Sequence, residues 1–173
     1  MKKITRMMVV GVVACLMACA TSEEARMARK QQEALVAQHV EQALADRHYV
    51  IEVDRAYPHG RMAMRDLSTG YGLMVKGDSV FSRLPFFGRA YSVPYGGGMG
   101  LTFKAPIIAY SEQVKKKGEH LIQFETKNPE DYYVFVVRAY TNGSVTVSVT
   151  PRQRSNMQYS GKVMPPEESD YSF

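Results

Sequence analysis

Position 19 is the one place where neighbouring residue types fix a chemistry. In Leu16-Met17-Ala18-Cys19 an aliphatic residue stands at minus three and a small one at minus one before the thiol. This resembles a lipobox, in which the thiol takes a diacylglycerol before the chain is cut ahead of the cysteine. Lys2, Lys3 and Arg6 supply a positive segment, and Met7 to Met17 is an apolar run of 11 residues. That run is too short to cross a hydrocarbon layer of about 30 Å as a helix. Residues 1–18 therefore read as a lipoprotein signal peptide and Cys19 as the acylated lipid attachment, carrying palmitate-type chains. Two or three acyl chains on one residue hold a protein on a membrane where a single chain binds only marginally.

The remaining candidates for chemistry are sparse. His39, His48, His59 and His120 share no ligand spacing and have no cysteine to join them, so no metal is expected. The run Gly96-Gly97-Gly98-Met99-Gly100 lacks the Lys-Ser/Thr that completes a phosphate loop and precedes a strand, not a helix. Carboxylates occur singly, without an acid/base pair. No catalytic residue and no cofactor is expected, and the reading is not that of an enzyme. Lys115-Lys116-Lys117 before Gly118 reads as a solvated turn. The unusual segment is Leu84 to Gly100, LPFFGRAYSVPYGGGMG, with Phe86, Phe87, Arg89, Tyr91 and Tyr95 as the candidate ligand or partner loop. Aromatic rings on a glycine-rich loop suit an acyl chain, a sugar face or a partner protein, or close one end of a sheet.

These residues need elements to hold them, and composition bounds the choice. The chain has 173 residues, 45% hydrophobic and 23% charged, with two cysteines and a formal charge of +5. Removing residues 1–18 takes three of 22 basic groups and leaves 19 against 17 acids, a formal +2, so the balance gives no reason to expect nucleic acid. Cys15 leaves with the signal and Cys19 carries lipid, so the domain must hold itself by its core. At this length it buries roughly 70% of its unfolded surface.

Thr21 and Glu24 form a capping box, so a lipid-anchored tether and helix is expected over residues 19–47, with Val36, Val40, Ala43 and Leu44 as its apolar stripe. From His48 the period changes to two, and residues 48–163 divide into about ten strands. They are 49–56, 61–67, 71–76, 79–82, 100–104, 107–114, 120–126, 132–140, 144–150 and 156–163. The fold class is mainly β: one N-terminal helix, then an antiparallel meander forming a barrel, a half-barrel or two packed sheets. Residues 164–173 read as a frayed tail. In the hairpin Tyr133 to Val149, a loop Thr141-Asn142-Gly143 with Gly143 left-handed sets Ala139, Val137 and Phe135 opposite Val145, Val147 and Val149, and Arg138 opposite Thr146. One face is then wholly apolar.

The series Val75-x-Gly77-Asp78-Ser79, Leu84-Pro85-Phe86-Phe87-Gly88-Arg89-Ala90-Tyr91, Pro94-Tyr95-Gly96-Gly97-Gly98, Lys117-Gly118, Asn142-Gly143 and Tyr159-Ser160-Gly161 resembles an uncharacterised lipoprotein family of Bacteroidota, a domain of unknown function. The resemblance implies a Gram-negative envelope and an outer-membrane anchor through acylated Cys19, facing the periplasm or the cell surface. It transfers no catalytic residue. It also makes Ser79, in Asp78-Ser79-Val80, a candidate for O-glycosylation, beside the plainer reading of Gly77-Asp78 as a turn. The function expected is a non-enzymatic binding module for an apolar or glycan ligand, with a structural lipoprotein contacting other envelope proteins as the alternative.

Overall fold

In the computed structural model of the chain, residues 2–60, 63–91 and 100–164 are described. Contacts divide the chain into two compact units, Met1–Val36 and Ala37–Phe173. Helix α1 runs over Lys2–Ala45. It is uninterrupted through Thr21, which corrects the capping-box start. A hydroxyl caps a helix only where the chain before it leaves helical geometry, and the Ala-, Met- and Leu-containing run ahead of Thr21 favours helix instead. In the first unit Met27 and Leu35 are exposed, and Arg29 meets Glu33 one turn on at 3.2 Å. The apolar stripe is shorter than expected: Val40, Ala43 and Leu44 are buried, while Val36 is exposed.

The strands are β1 (His48–Pro58), β2 (Arg65–Asp66), β3 (Gly72–Lys76), β4 (Ser79–Leu84), β5 (Leu101–Val114), β6 (Glu119–Lys127), β7 (Tyr132–Tyr140), β8 (Ser144–Pro151) and β9 (Met157–Met164). From β3 to β9 each pairs antiparallel with the next, and β1 pairs with both β3 and β9. The result is a closed eight-stranded antiparallel barrel, with β2 as an extra strand on β1. Closure removes most of the sheet edge that a half-barrel would leave.

Nine strands replace the expected ten because 100–104 and 107–114 are one strand. Pro106, in the gap between these two ranges, has no N–H to donate, which argues for a break. Instead it is the last residue opposite β4, facing Ser79, and from Ile107 the strand pairs with β6 through an irregularity between Ile107 and Ala109. The missing donor falls where β5 changes partners. Strand β2 has only two residues because β3 takes the His48–Glu52 part of the same β1 edge. Arg61 and Met62 lie outside the described residues. Met164 belongs to β9, opposite Val50, and not to the tail, whose residues 165–173 lie outside the described residues.

The β7–β8 hairpin has the expected register, with Ala139, Val137 and Phe135 opposite Val145, Val147 and Val149, and Arg138 opposite Thr146. Gly143 sits at φ 81°, and its N–H donates to the Tyr140 carbonyl at 2.9 Å. All six apolar residues of this face are buried. With Tyr49, Tyr133, Tyr159 and Phe124, each no more than 1% exposed, they fill the barrel. Phe124 stacks on Phe135 at 4.8 Å between ring centres, and Phe103 on Tyr133 at 4.6 Å.

Candidate functional site

The described part of the aromatic loop, residues 85–91, lies at the end of the barrel where β4, β6 and β8 finish. Its course is set by the β8–β9 connection. The Arg89 N–H donates to Ser155 Oγ at 3.0 Å, the Ser155 N–H to the Arg89 carbonyl at 2.9 Å, and the Tyr91 N–H to the Gln153 carbonyl at 2.8 Å. Gly88 is demanded by this approach, since a Cβ there would lie 2.0 Å from Ser155 Oγ and 2.7 Å from the Phe86 ring. Phe86 and Phe87 pack, partly buried, against the core. Cations cover both: the Arg154 guanidinium is 5.5 Å from the Phe86 ring centre and that of Arg65 is 4.7 Å from Phe87. Tyr91 is 71% exposed and Arg89 is also exposed, so the structure separates them from the two phenylalanines. Tyr95 lies outside the described residues. Phe86 and Phe87 thus serve as a lid.

Beneath the lid lies a network that the sequence reading missed. Arg154, 5% exposed, donates to the Gly100 carbonyl at 2.8 Å and to Glu130 Oε2 at 3.2 Å. The buried Asp131 carboxylate accepts the N–H groups of Tyr132, Arg152 and Gln153 at 2.7, 3.1 and 3.1 Å. The Tyr159 hydroxyl donates to the Pro85 carbonyl at 2.8 Å. Burial pushes that phenol far above its ordinary range. Every one of these charges is satisfied, the condition under which buried charge is tolerated.

The opposite end is closed by the last turns of α1. Arg47 stands at φ 48°, the one non-glycine residue with positive φ among the described residues. Its guanidinium lies 4.2 Å from the Tyr110 ring centre and 3.8 Å from Asp78. His120 Nδ1 meets Glu112 Oε1 at 2.8 Å, with the imidazole 9% exposed. The buried hydroxyls of Tyr49 and Tyr110 neighbour each other and have no further hydrogen-bond partner among the described residues. Burial first, then the neighbouring Tyr110 and Glu112, pushes the Tyr49 phenol well up, and Arg47 works against this. Burial raises Tyr110 as well.

Two open concavities lie on the outer wall, along the β1–β9 pair that closes the barrel. One groove of about 310 Å³ is lined by Tyr57, His59, Ser148, Thr150, Asn156 and Gln158, among others. Register builds it: Tyr57 stands opposite Gln158 and Gln158 opposite Ser148, one row across β1, β9 and β8. Cross-strand partners share a face, so a phenol, an amide and a hydroxyl project together. The His59 N–H donates to the Asn156 carbonyl at 3.3 Å, tying the β1 end to the start of β9. A second groove of about 240 Å³ lies further along the same pair, where Glu52, Asp54 and Lys162 gather beside Leu67 and Thr69. There β1 bulges between Val53 and Arg55, and Gly161 passes so close that a Cβ would fall 1.9 Å from the Glu52 carbonyl oxygen. Ser160 Oγ donates to Asp54 Oδ1 at 3.0 Å. Volumes near 300 Å³ are at the small end for ligand sites.

In the sequence Pro58-His59-Gly60 has the composition of a turn and Gln158 is one residue of an alternating strand. The only local hint was Tyr57, an aromatic ring immediately before that turn. Ser79, the candidate modification site, begins β4 half-buried between Lys76 and Pro106, with exposed Asp78 before it. Cys19 lies within α1. Among the described residues no group of three or more His, Cys, Asp or Glu could hold a metal, and no helix is long and apolar enough to cross a membrane.

A family model described as "Domain of unknown function (DUF4251)" matches residues 30–163. Among solved structures the chain is similar to the crystal structure of a DUF4251 family protein from Bacteroides eggerthii. The TM-score is 0.65 at 18% identity, over 79% of this chain and 92% of the other. No curated protein matches.

Proposed function

The chain belongs to the DUF4251 family, and from that premise we propose a lipid-anchored protein of the outer membrane that binds a neutral, hydroxyl-rich chain, a glycan, on the outer surface of its barrel. The observation that carries the reading is the Tyr57–Gln158–Ser148 row with its groove of about 310 Å³. A phenol offers an apolar face to the C–H side of a sugar ring, while amide and hydroxyl groups offer donors and acceptors to its hydroxyls. None of Tyr57, Gln158, Ser148, Thr150 and Asn156 carries a charge at neutral pH, which suits an uncharged ligand. An apolar ligand has less support, because aromatic and aliphatic side chains occupy the barrel interior. The role in this reading is binding without covalent chemistry.

Titration of the full chain in detergent with soluble envelope-polysaccharide fragments tests the groove. Tyr57→Ala and Gln158→Ala should each weaken binding at least tenfold with the fold intact by circular dichroism, and Tyr140→Ala, an exposed tyrosine at the α1 end of the barrel, should not. Equal affinity in all four proteins sinks the reading. The anchor is tested separately: Cys19→Ala should abolish acyl labelling and membrane association, and labelling that survives refutes it.

A further inference from the structure

The barrel is staggered where β5 changes partners, and one edge is left over. From Ile107 to Val114 the strand is laddered to β6, and on its β4 side no strand accompanies it among the described residues. This edge is open to solvent, with Ile108 58% and Val114 67% exposed. It is also held in shape: Tyr110 lies under Arg47 and Glu112 is fixed on His120. Edges are commonly guarded by proline, bulges and lysine, and Pro106, the Ile107/Ala109 irregularity and Lys115-Lys116 stand at its two ends. Between them, Ala109 to Val114 carry a single charge, Glu112.

We propose that this edge pairs with the same edge of a second copy, antiparallel, about a two-fold axis at Ser111. Main-chain hydrogen bonds supply the attraction, as in strand addition generally. In that register Ile108 of one protomer stands opposite Val114 of its partner, Tyr110 stands opposite Glu112, and no like charges meet. Moving the axis to Glu112 would set two carboxylates face to face, which disfavours the slip. Charge at the ends fixes the same choice. Beyond Val114, Lys115 and Lys116 of one protomer run toward Asp78 of the other. Asp78 closes the edge, its carbonyl accepting the Ile107 N–H at 2.8 Å, and its side chain is 92% exposed. The inference is independent of the glycan groove, which lies on the β1–β9 pair.

Directly opposed residues in an antiparallel pair have Cα atoms about 4.5–5.5 Å apart, within disulfide reach. The test uses the full chain with Cys15→Ala and Cys19→Ala, so that each added cysteine is the single thiol. Under mild oxidation Ser111→Cys should cross-link nearly completely to a dimer, while Glu125→Cys, on the neighbouring strand, stays monomeric. In native mass spectra the protein with residue 111 unchanged should be a dimer, and Ser111→Lys, which opposes two ammonium groups, a monomer with an unchanged circular dichroism spectrum. Three results would overturn the proposal: a monomer with residue 111 unchanged, cross-linking at residue 111 no faster than at 125, or an edge occupied by residues 165–173 or by a different chain.

Discussion

The two ends of the barrel are closed by opposite means. At one, Val40, Ala43 and Leu44 of α1 bury apolar side chains, while the phenols of Tyr49 and Tyr110 have only each other. At the other, Arg154, Glu130, Asp131 and Tyr159 bring polar groups under the Phe86–Phe87 lid, and each finds a partner. Burial of apolar area is tolerant of geometry and holds even where hydroxyls are poorly partnered. A polar closure depends on every partner being present. The apolar end should therefore fail globally when damaged, and the polar end locally.

The largest expected effect follows from Leu44, 0% exposed at the apolar end. Leu44→Ala should cost about 3 kcal/mol, the usual range for a buried leucine truncation. Denaturant unfolding would show a lower midpoint with one cooperative transition. A loss below about 1 kcal/mol would mean that α1 packs loosely and that the apolar end does not bear on global stability.

Arg154→Leu is the counterpart. It leaves the Gly100 carbonyl without its side-chain donor and separates Glu130, 40% exposed, from its cation. Because Glu130 can turn to water, the global cost should be about 2 kcal/mol, less than for a fully buried ion pair. The distinguishing sign is local: hydrogen exchange should rise at Arg89, Tyr91 and Ser155, whose N–H groups tie the lid to the β8–β9 connection, before it rises at β7. Uniform loss of protection would erase the contrast between the ends.

Sequence separation decided how much of each end was legible. Val40, Ala43 and Leu44 lie within one helical repeat, so their period announces a buried stripe. The β7–β8 register was equally readable, because its two strands are adjacent and their alternation leaves one arrangement with an apolar face. Arg154 instead reaches Gly100 and Glu130, 54 and 24 residues away, and Tyr159 reaches Pro85 across 74. Nothing local marks such pairs. The same reason hid the grooves, since Tyr57 and Gln158 meet only when β9 returns to close the barrel. Gly161 shows what that closure demands: its missing Cβ would overlap the Glu52 carbonyl, a contact between strands at opposite ends of the domain.

Gly143, in the β7–β8 turn at the α1 end, offers a control outside the named contacts of either closure. At φ 81°, with its N–H bonded to Tyr140, it should lose roughly 1 kcal/mol on substitution by alanine. The loss should leave exchange at the lid and at α1 in proportion, which thermal unfolding combined with exchange would reveal. A local change at either end would mean that this hairpin turn is coupled to a closure.

The smallest effect separates the ends by sign. Tyr159→Phe removes a donor from the Pro85 carbonyl and should cost about 1 kcal/mol, whereas Tyr49→Phe removes a fully buried hydroxyl whose one polar neighbour is the Tyr110 hydroxyl and should be neutral or stabilising by up to about 1 kcal/mol. At high pH the two should behave alike. Burial raises both phenols in the folded state, so the folded chain holds these protons more tightly than the unfolded chain does. Their contribution is then complete below the ordinary tyrosine value near 10 and is lost as pH rises beyond it. Chemical denaturation at neutral pH and again above about pH 10 should give phenylalanine variants of opposite sign in the first case, and in the second both should unfold less readily on alkaline titration than the parent protein. If Tyr49→Phe costs as much as Tyr159→Phe at neutral pH, the Tyr49–Tyr110 pair carries a full hydrogen bond, and the apolar end is closed by the same means as the polar one.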